Sequence, residues 1–236
     1  MKTYNHIYVL EDKVMKNNIT EVVFILDRSG SMGGLESDTI GGFNSTLKKQ
    51  KELDGKCLIT TVLFDDQYEI IHDRVDAREA KEITEKEYFV RGCTALVDAI
   101  GKSISHIEKI HKYSRPEDIP EHTMFIITTD GMENASREYS ADKVRKMIEQ
   151  KKETGWEFLF IGANIDAVET ARNYGIDADK SVDYVNDSPG VSNVHSSISK
   201  AVCCMRTMGS VGREWSEEIS EDFNKRSGKK TRKSKK

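Results

Sequence analysis

No stretch of this 236-residue sequence approaches the roughly 18–20 consecutive apolar positions that a helix needs to cross a bilayer. A soluble chain is the expectation, with 37% hydrophobic and 32% charged residues. The opening residues, MKTYNHIYVLEDKV, lack an apolar core and a small-residue cleavage site, so no signal peptide and a cytoplasmic location are predicted. Cysteine is scarce, four in all, and no Cys-x-x-Cys occurs, which removes the usual zinc and redox signatures. Cys57, Cys93, Cys203 and Cys204 are expected as free thiols, the first in the core and the last two side by side on a helix. The six histidines (His6, His72, His106, His111, His122 and His195) show no metal-ligand spacing. There is no Gly-x-Gly-x-x-Gly, and the glycines at 30, 33 and 34 follow an aspartate that would repel a phosphate. No internal repeat is visible, and two of the three prolines fall in one loop at residues 115–121.

Charge is present in both signs but unevenly placed. Against 40 acidic residues stand 36 basic ones, a net of −4. Residues 225–236, KRSGKKTRKSKK, hold eight of the basic residues and no acidic one. Without those eight, 28 basic residues face 40 acidic ones, a net of −12 on residues 1–224. An acidic body argues against a nucleic-acid surface, which leaves the basic tail as the one segment suited to such a partner.

Apolar patterning divides the chain into alternating strands and helices. Strands are predicted at 21–26, 56–64, 68–75, 122–129 and 156–161, with a short one at 7–10 and a last edge strand at 181–185. Helices are predicted at 33–51, 95–111, 141–152, 166–173 and 192–208, with Ser140 as an N-cap. Gly41-Gly42 inside the first helix costs stability, which implies close packing against the sheet. Asp65-Asp66-Gln67 is short enough to demand a hairpin, and hence an antiparallel strand. The expected fold is therefore α/β: a doubly wound, mostly parallel central sheet with one antiparallel edge strand and helices on both faces, Rossmann-like in plan. Three parts are expected: an N-terminal arm at 1–18, the domain at 19–208, and a polar-to-basic tail at 209–236, disordered at its end.

Residues 21–34, EVVFILDRSGSMGG, concentrate the chemistry. Five apolar residues, Val22 to Leu26, run directly into Asp27, Ser29 and Ser31. A run of this kind reads as a strand buried on both faces, and open α/β sheets place their ligands at the carboxyl ends of such strands. One carboxylate and two hydroxyls at alternate positions offer oxygen ligands to a small hard cation such as Mg²⁺.

The pattern Asp27-x-Ser29-x-Ser31 resembles the first motif of the von Willebrand factor type A family, the core of its metal-ion-dependent adhesion site. Two further family motifs have counterparts here: Arg91-Gly92-Cys93-Thr94-Ala95-Leu96 looks like the threonine loop, and Thr128-Thr129-Asp130-Gly131 like the aspartate that follows a later strand. The first motif alone is common; all three, in order and on the right elements, are specific. The resemblance covers residues 19–161, and Cys93 departs from it where relatives often carry a second glycine. It implies that Ser29, Ser31 and Thr94 ligate Mg²⁺ or Mn²⁺ directly, while Asp27 and Asp130 supply negative charge, one or both through water. Neutral ligands leave the cation electrophilic, and in the family a carboxylate of a partner protein completes its shell. The implied function is a metal-dependent protein-binding module, an intracellular adaptor or assembly factor rather than an enzyme.

Competing readings remain at this stage. Ser and Asp after a strand also cap helices, and Thr94 is placed to cap a helix beginning at Ala95. Asp65, Asp66, Glu133, Asn134, Asn164, Asp166 and Arg28 fall on the same sheet edge as candidate rim residues. A metal-dependent phosphoryl-transfer enzyme is one alternative, because Asp27 ends a strand, although Ser29 stands where a second aspartate is needed. A nucleic-acid binder using the basic tail is the other.

Overall fold

Strand β1, Ile19–Asp27, has all nine of its residues buried. Val22, Phe24 and Leu26 enter one apolar cluster, and Val23 and Ile25 enter another on the opposite face. Each such side chain removed from water contributes about 1.5–3 kcal/mol, so a strand with no wet face belongs at the centre of a sheet. The computed structural model describes residues 18–227; the strand expected at 7–10 and most of the basic tail lie outside them.

After β1 the chain makes a 3-10 turn at Gly30–Met32, then α1 (Glu36–Lys51), β2 (Lys56–Phe64) and β3 (Tyr68–Asp76). It continues through α2 (Leu96–Tyr113), β4 (His122–Thr129), α3 (Ala141–Glu153), β5 (Trp156–Gly162) and α4 (Ala167–Asn173), and then β6 (Ser181–Asp183), α5 (Ser188–Met208) and α6 (Glu217–Arg226). The six strands lie in the order β3-β2-β1-β4-β5-β6. Every pairing is parallel except β2 with β3. Phe43 and Leu47 of α1, Ile198 and Val202 of α5, and Ile219 of α6 cover one face; Ile100 and Ile104 of α2, Val144 and Ile148 of α3, and Ala171 of α4 cover the other. This is the doubly wound arrangement with one antiparallel edge. Among the described residues no helix is long and apolar enough to cross a membrane.

The one charge inside β1 short of its last residue is Glu21, and it is fully buried. Arg74 lies 2.6 Å from one of its oxygens and His111 Nε2 2.5 Å from the other. Buried charge of this kind survives only when paired.

The structure differs from the sequence reading in several places. Gly34 takes φ +89°, in the left-handed region, so α1 starts at Glu36 and not at 33. Of the Gly41-Gly42 pair only Gly42 is tightly packed, and its neighbour is His195 of α5, not the sheet: a Cβ there would lie 2.1 Å from the imidazole. Finally, the packed chain does not stop at Met208. Gly209 closes α5 in the left-handed region, a 3-10 turn follows at Arg213–Ser216, and α6 docks. Val211, Trp215 and Ile219 are buried in the first cluster, and Trp215 Nε1 donates to the Asp179 carbonyl at 2.9 Å.

Candidate metal centre

Asp27 is the last residue of β1, and Asp130 follows the last residue of β4. The parallel register pairs Leu26 with Thr128, which brings the two strand ends side by side at the carboxyl edge of the sheet. Asp27 is fixed from three directions. Its Oδ1 accepts the Ser29 N–H at 2.7 Å, its Oδ2 accepts the Thr129 hydroxyl at 2.6 Å, and its carbonyl accepts the Tyr88 hydroxyl at 2.6 Å.

The three hydroxyls form a chain. Thr94 Oγ1 donates to Ser29 Oγ at 3.0 Å, Ser29 and Ser31 are joined at 3.1 Å, and Ser31 Oγ donates to Asp130 Oδ1 at 2.5 Å. Since the single Ser31 proton goes to Asp130, Ser29 is the donor to Ser31, and the chain runs in one sense toward the carboxylate. Asp130 Oδ2 accepts the side-chain amide of Asn186 at 2.8 Å. Gly131 brings its backbone against the same group: a Cβ there would stand 3.2 Å from Ser31 Oγ and 3.3 Å from Thr94 Oγ1. All five residues singled out from the sequence are thus gathered at one point.

Both carboxyls are held above their ordinary range. Burial is the main cause at Asp27, outweighing the hydrogen bonds from Ser29 and Thr129, and burial likewise outweighs Ser31 and Asn186 at Asp130. Their partners are hydroxyls, a backbone N–H and an amide, with no cationic side chain among them. Among the described residues no three His, Cys, Asp or Glu side chains gather as a metal site; this centre instead joins two carboxylates to hydroxyls.

Thr94 is buried, and it does not cap α2 as the sequence allowed. The cap position is Ala95, with no side-chain bond. Asn134 clamps Thr94 instead, its Oδ1 accepting the Thr94 N–H at 2.9 Å and its own N–H donating to the Thr94 carbonyl at 3.0 Å.

The other candidates have mostly structural work. Arg28 is fully buried, so it holds the loop and does not rim the surface. Its Nε donates to Asp65 at 3.1 Å, Nη1 donates to the Glu87 carbonyl at 3.2 Å, and Nη2 stands 2.8 Å from Glu69 as an ion pair outside hydrogen-bond geometry. Burial alone would raise the Asp65 carboxyl, but Arg91, the Gln67 N–H and Arg28 bring it below the usual range. Glu133 accepts the Val97 N–H at the start of α2, and Asp166 caps α4 through the Glu169 N–H. Asn164 donates to the Asp130 carbonyl at 3.3 Å, and Asp66 packs against Gly92. Exposed Cys93 and two exposed apolar side chains, Phe89 and Met132, belong to the loops that carry Thr94 and Asp130. Thr129, Tyr88 and Asn186 were missed from the sequence. Only Thr129 had a signal, as the neighbour of Asp130; the other two arrive from loops of no recognisable pattern.

No protein-family model matches the chain, and no curated protein does. Solved structures do. The vWF domain of the type V pili tip protein Mfa5 from Porphyromonas gingivalis superposes with a TM-score of 0.56 at 11% identity, covering 82% of this chain and 98% of that one. The fold is that of a von Willebrand factor type A domain. Manganese-loaded Plasmodium vivax TRAP gives a TM-score of 0.53 at 18% identity over 75% of this chain and 72% of that one. Proximal thread matrix protein 1 from the mussel byssus gives 0.56 at 15% identity over 78% of this chain, and a form with a zinc-occupied MIDAS motif gives 0.51 at 14%. This chain spans less than half of that mussel protein, 46%.

Proposed function

We propose that this chain is a metal-dependent protein-binding module. In this reading Asp27, Ser29, Ser31, Thr94 and Asp130 form a complete metal-ion-dependent adhesion site for Mg²⁺ or Mn²⁺, and a carboxylate of a partner protein completes the ion's shell. The observation that carries it is the one-way hydroxyl chain from Thr94 through Ser29 and Ser31 to Asp130, with Asp27 tied to the Ser29 backbone. Every donor is an oxygen, which suits a hard cation, and a divalent charge would relieve two carboxylates that burial holds above their ordinary range. The manganese of TRAP and the zinc of the mussel protein favour a divalent ion in general; the preference for Mg²⁺ or Mn²⁺ rests on the all-oxygen donor set.

Three hydroxyl ligands add no charge, so the bound ion retains its attraction for an anionic side chain. Phe89 and Met132, 42% and 72% exposed on the adjoining loops, offer apolar contact around it. We assign no catalytic role, because Ser29 occupies the position where an aspartate-nucleophile phosphatase needs its general acid. The intracellular adaptor or assembly role rests on the sequence alone; Mfa5 is a pilus tip protein and the mussel protein comes from the byssus.

Calorimetric titration with Mn²⁺ tests the centre. One ion per chain is expected, with binding lost in the Ser29→Ala, Ser31→Ala double variant; unchanged affinity in that variant would overturn the site. Capture of a partner from lysate in Mg²⁺, abolished by EDTA, tests the binding role.

A further inference from the structure

Asn186, which no motif marks, bonds directly to a carboxylate of the centre. It lies between β6 and α5, more than 50 positions beyond Asp130, yet its Nδ2 donates to Asp130 Oδ2 at 2.8 Å. Its orientation is decided by its other end. The hydroxyl of buried Tyr184 donates to Asn186 Oδ1 at 3.2 Å, which leaves the amide nitrogen facing the carboxylate. With Ser31 on Oδ1 and Asn186 on Oδ2, each oxygen of Asp130 accepts one proton from a fixed donor. The carboxylate plane is thereby set, and the remaining lone pairs are free for an ion or its water.

The loop that carries Asn186 is itself clamped. The next residue, Asp187, caps α5 by accepting the Gly190 N–H at 2.9 Å, and its other oxygen is paired with Arg226 of α6. Arg226 also pairs with Asp222, one turn back on its own helix. Gly190 lies so close to the Val185 carbonyl that a Cβ would stand 1.8 Å from its oxygen, so only glycine lets the start of α5 pack against that loop. Asn186 is therefore presented by a connection that the last two helices hold in place.

We propose that Asn186 is a positioning residue of the metal centre: it orients Asp130 for the ion and makes the loop before α5, held by α6, part of the site. This rests on the metal-centre reading. Hydrogen-bonding partners behind metal ligands typically govern metal affinity by roughly 10- to 100-fold, because a ligand left to rotate must be ordered again when the ion binds.

The test is calorimetric titration of the full-length protein with Mn²⁺ alone, comparing wild type with Asn186→Ala and with Tyr184→Phe. Asn186→Ala is expected to weaken Mn²⁺ binding by roughly 10-fold or more. Tyr184→Phe, which leaves the amide in place but frees it to turn, is expected to weaken it by roughly two- to tenfold, the scale of one neutral hydrogen bond. A purely structural role would lower the melting temperature of the metal-free protein and leave the dissociation constant unmoved. If Asn186→Ala binds Mn²⁺ within about twofold of wild type, the positioning role is wrong while the centre stands. If Asn186→Ala does not fold, Tyr184→Phe decides by the same twofold criterion. A wild-type chain that takes up no Mn²⁺ removes the centre, and this role with it.

Discussion

His195 shows how a single residue can set a property of the whole chain. Its ring lies on Gly42 of α1, it is only 7% exposed, and its Nδ1 is buried without a hydrogen-bond partner. Burial pushes the imidazole down to about 4 from its ordinary 6.5. A histidine with a depressed folded-state value is neutral when folded and charged when unfolded throughout the interval between the two values. Its contribution is therefore fully present above pH 6.5 and is lost as the pH falls from there toward 4. Between pH 7 and pH 5 the loss amounts to about 2 kcal/mol, at roughly 1.4 kcal/mol per unit. Urea unfolding at the two pH values should show that difference in the wild type and not in His195→Leu; an equal acid loss in both would put the cause elsewhere. The sequence marked Gly41-Gly42 as a packing signal but could not supply the partner, which lies about 150 positions along the chain. Thr94 shows the same limit. Its motif marked it as part of the centre, while its burial depends on Asn134, which belongs to another loop.

At the scale of elements, α6 separates what the tail does from what its charge suggests. Val211, Trp215 and Ile219 recur every four residues and are all buried, while the positions between them are mostly charged or small. Removing residues 228–236 takes away no apolar side chain and should leave the melting temperature unchanged. Removing everything after Ser210 exposes the surface those three residues cover. Burial of a Trp or Ile is worth about 1.5–3 kcal/mol, so this longer truncation should lose about 3 kcal/mol or more, or roughly 6 °C or more for a domain of this size. Equal melting of the two truncated chains would show that α6 is not part of the folded unit. The regular strands were legible: the residues predicted for β2 and β4 are the residues that form them, because long apolar runs between turn signals leave little choice. Helix starts were legible where a cap stood out, as with Ser140 ahead of α3, and not for α1 and α5. α5 begins at Ser188, with Asp187 as its cap and Pro189 in its first turn, before its apolar stripe becomes dense. The spacing of Val211, Trp215 and Ile219, which leads through the 3-10 turn into α6, was hidden by the charge around it.

The sheet order decides which distant loops meet. With β1 and β4 adjacent at the centre, the loops after both strands and the one before α2 converge on one edge, and the connection after β6 reaches back to join them. Motif order made the first three legible as a unit. The fourth could not be read, because β6 is three residues long and nothing in its sequence fixes where its exit loop points. An ion bound at such a junction ties four segments of one chain together and should stabilise the folded state as a whole. An ion that binds only the folded chain adds RT ln(1 + [ion]/Kd), about 2.7 kcal/mol at one hundred times Kd. For a domain of this size that corresponds to a rise in melting temperature of roughly 5–10 °C. Thermal scans in Mn²⁺, at one hundred times the calorimetric Kd, should show a rise of that size. Excess EDTA should abolish it, as should the Ser29→Ala, Ser31→Ala double variant. The control matters because residues 1–224 carry a net charge of −12, and an acidic body attracts divalent ions without a site. Diffuse attraction of that kind would survive the double variant and fade with added NaCl. A rise that persists in the double variant would therefore assign the stabilisation to the surface and remove the centre from its explanation.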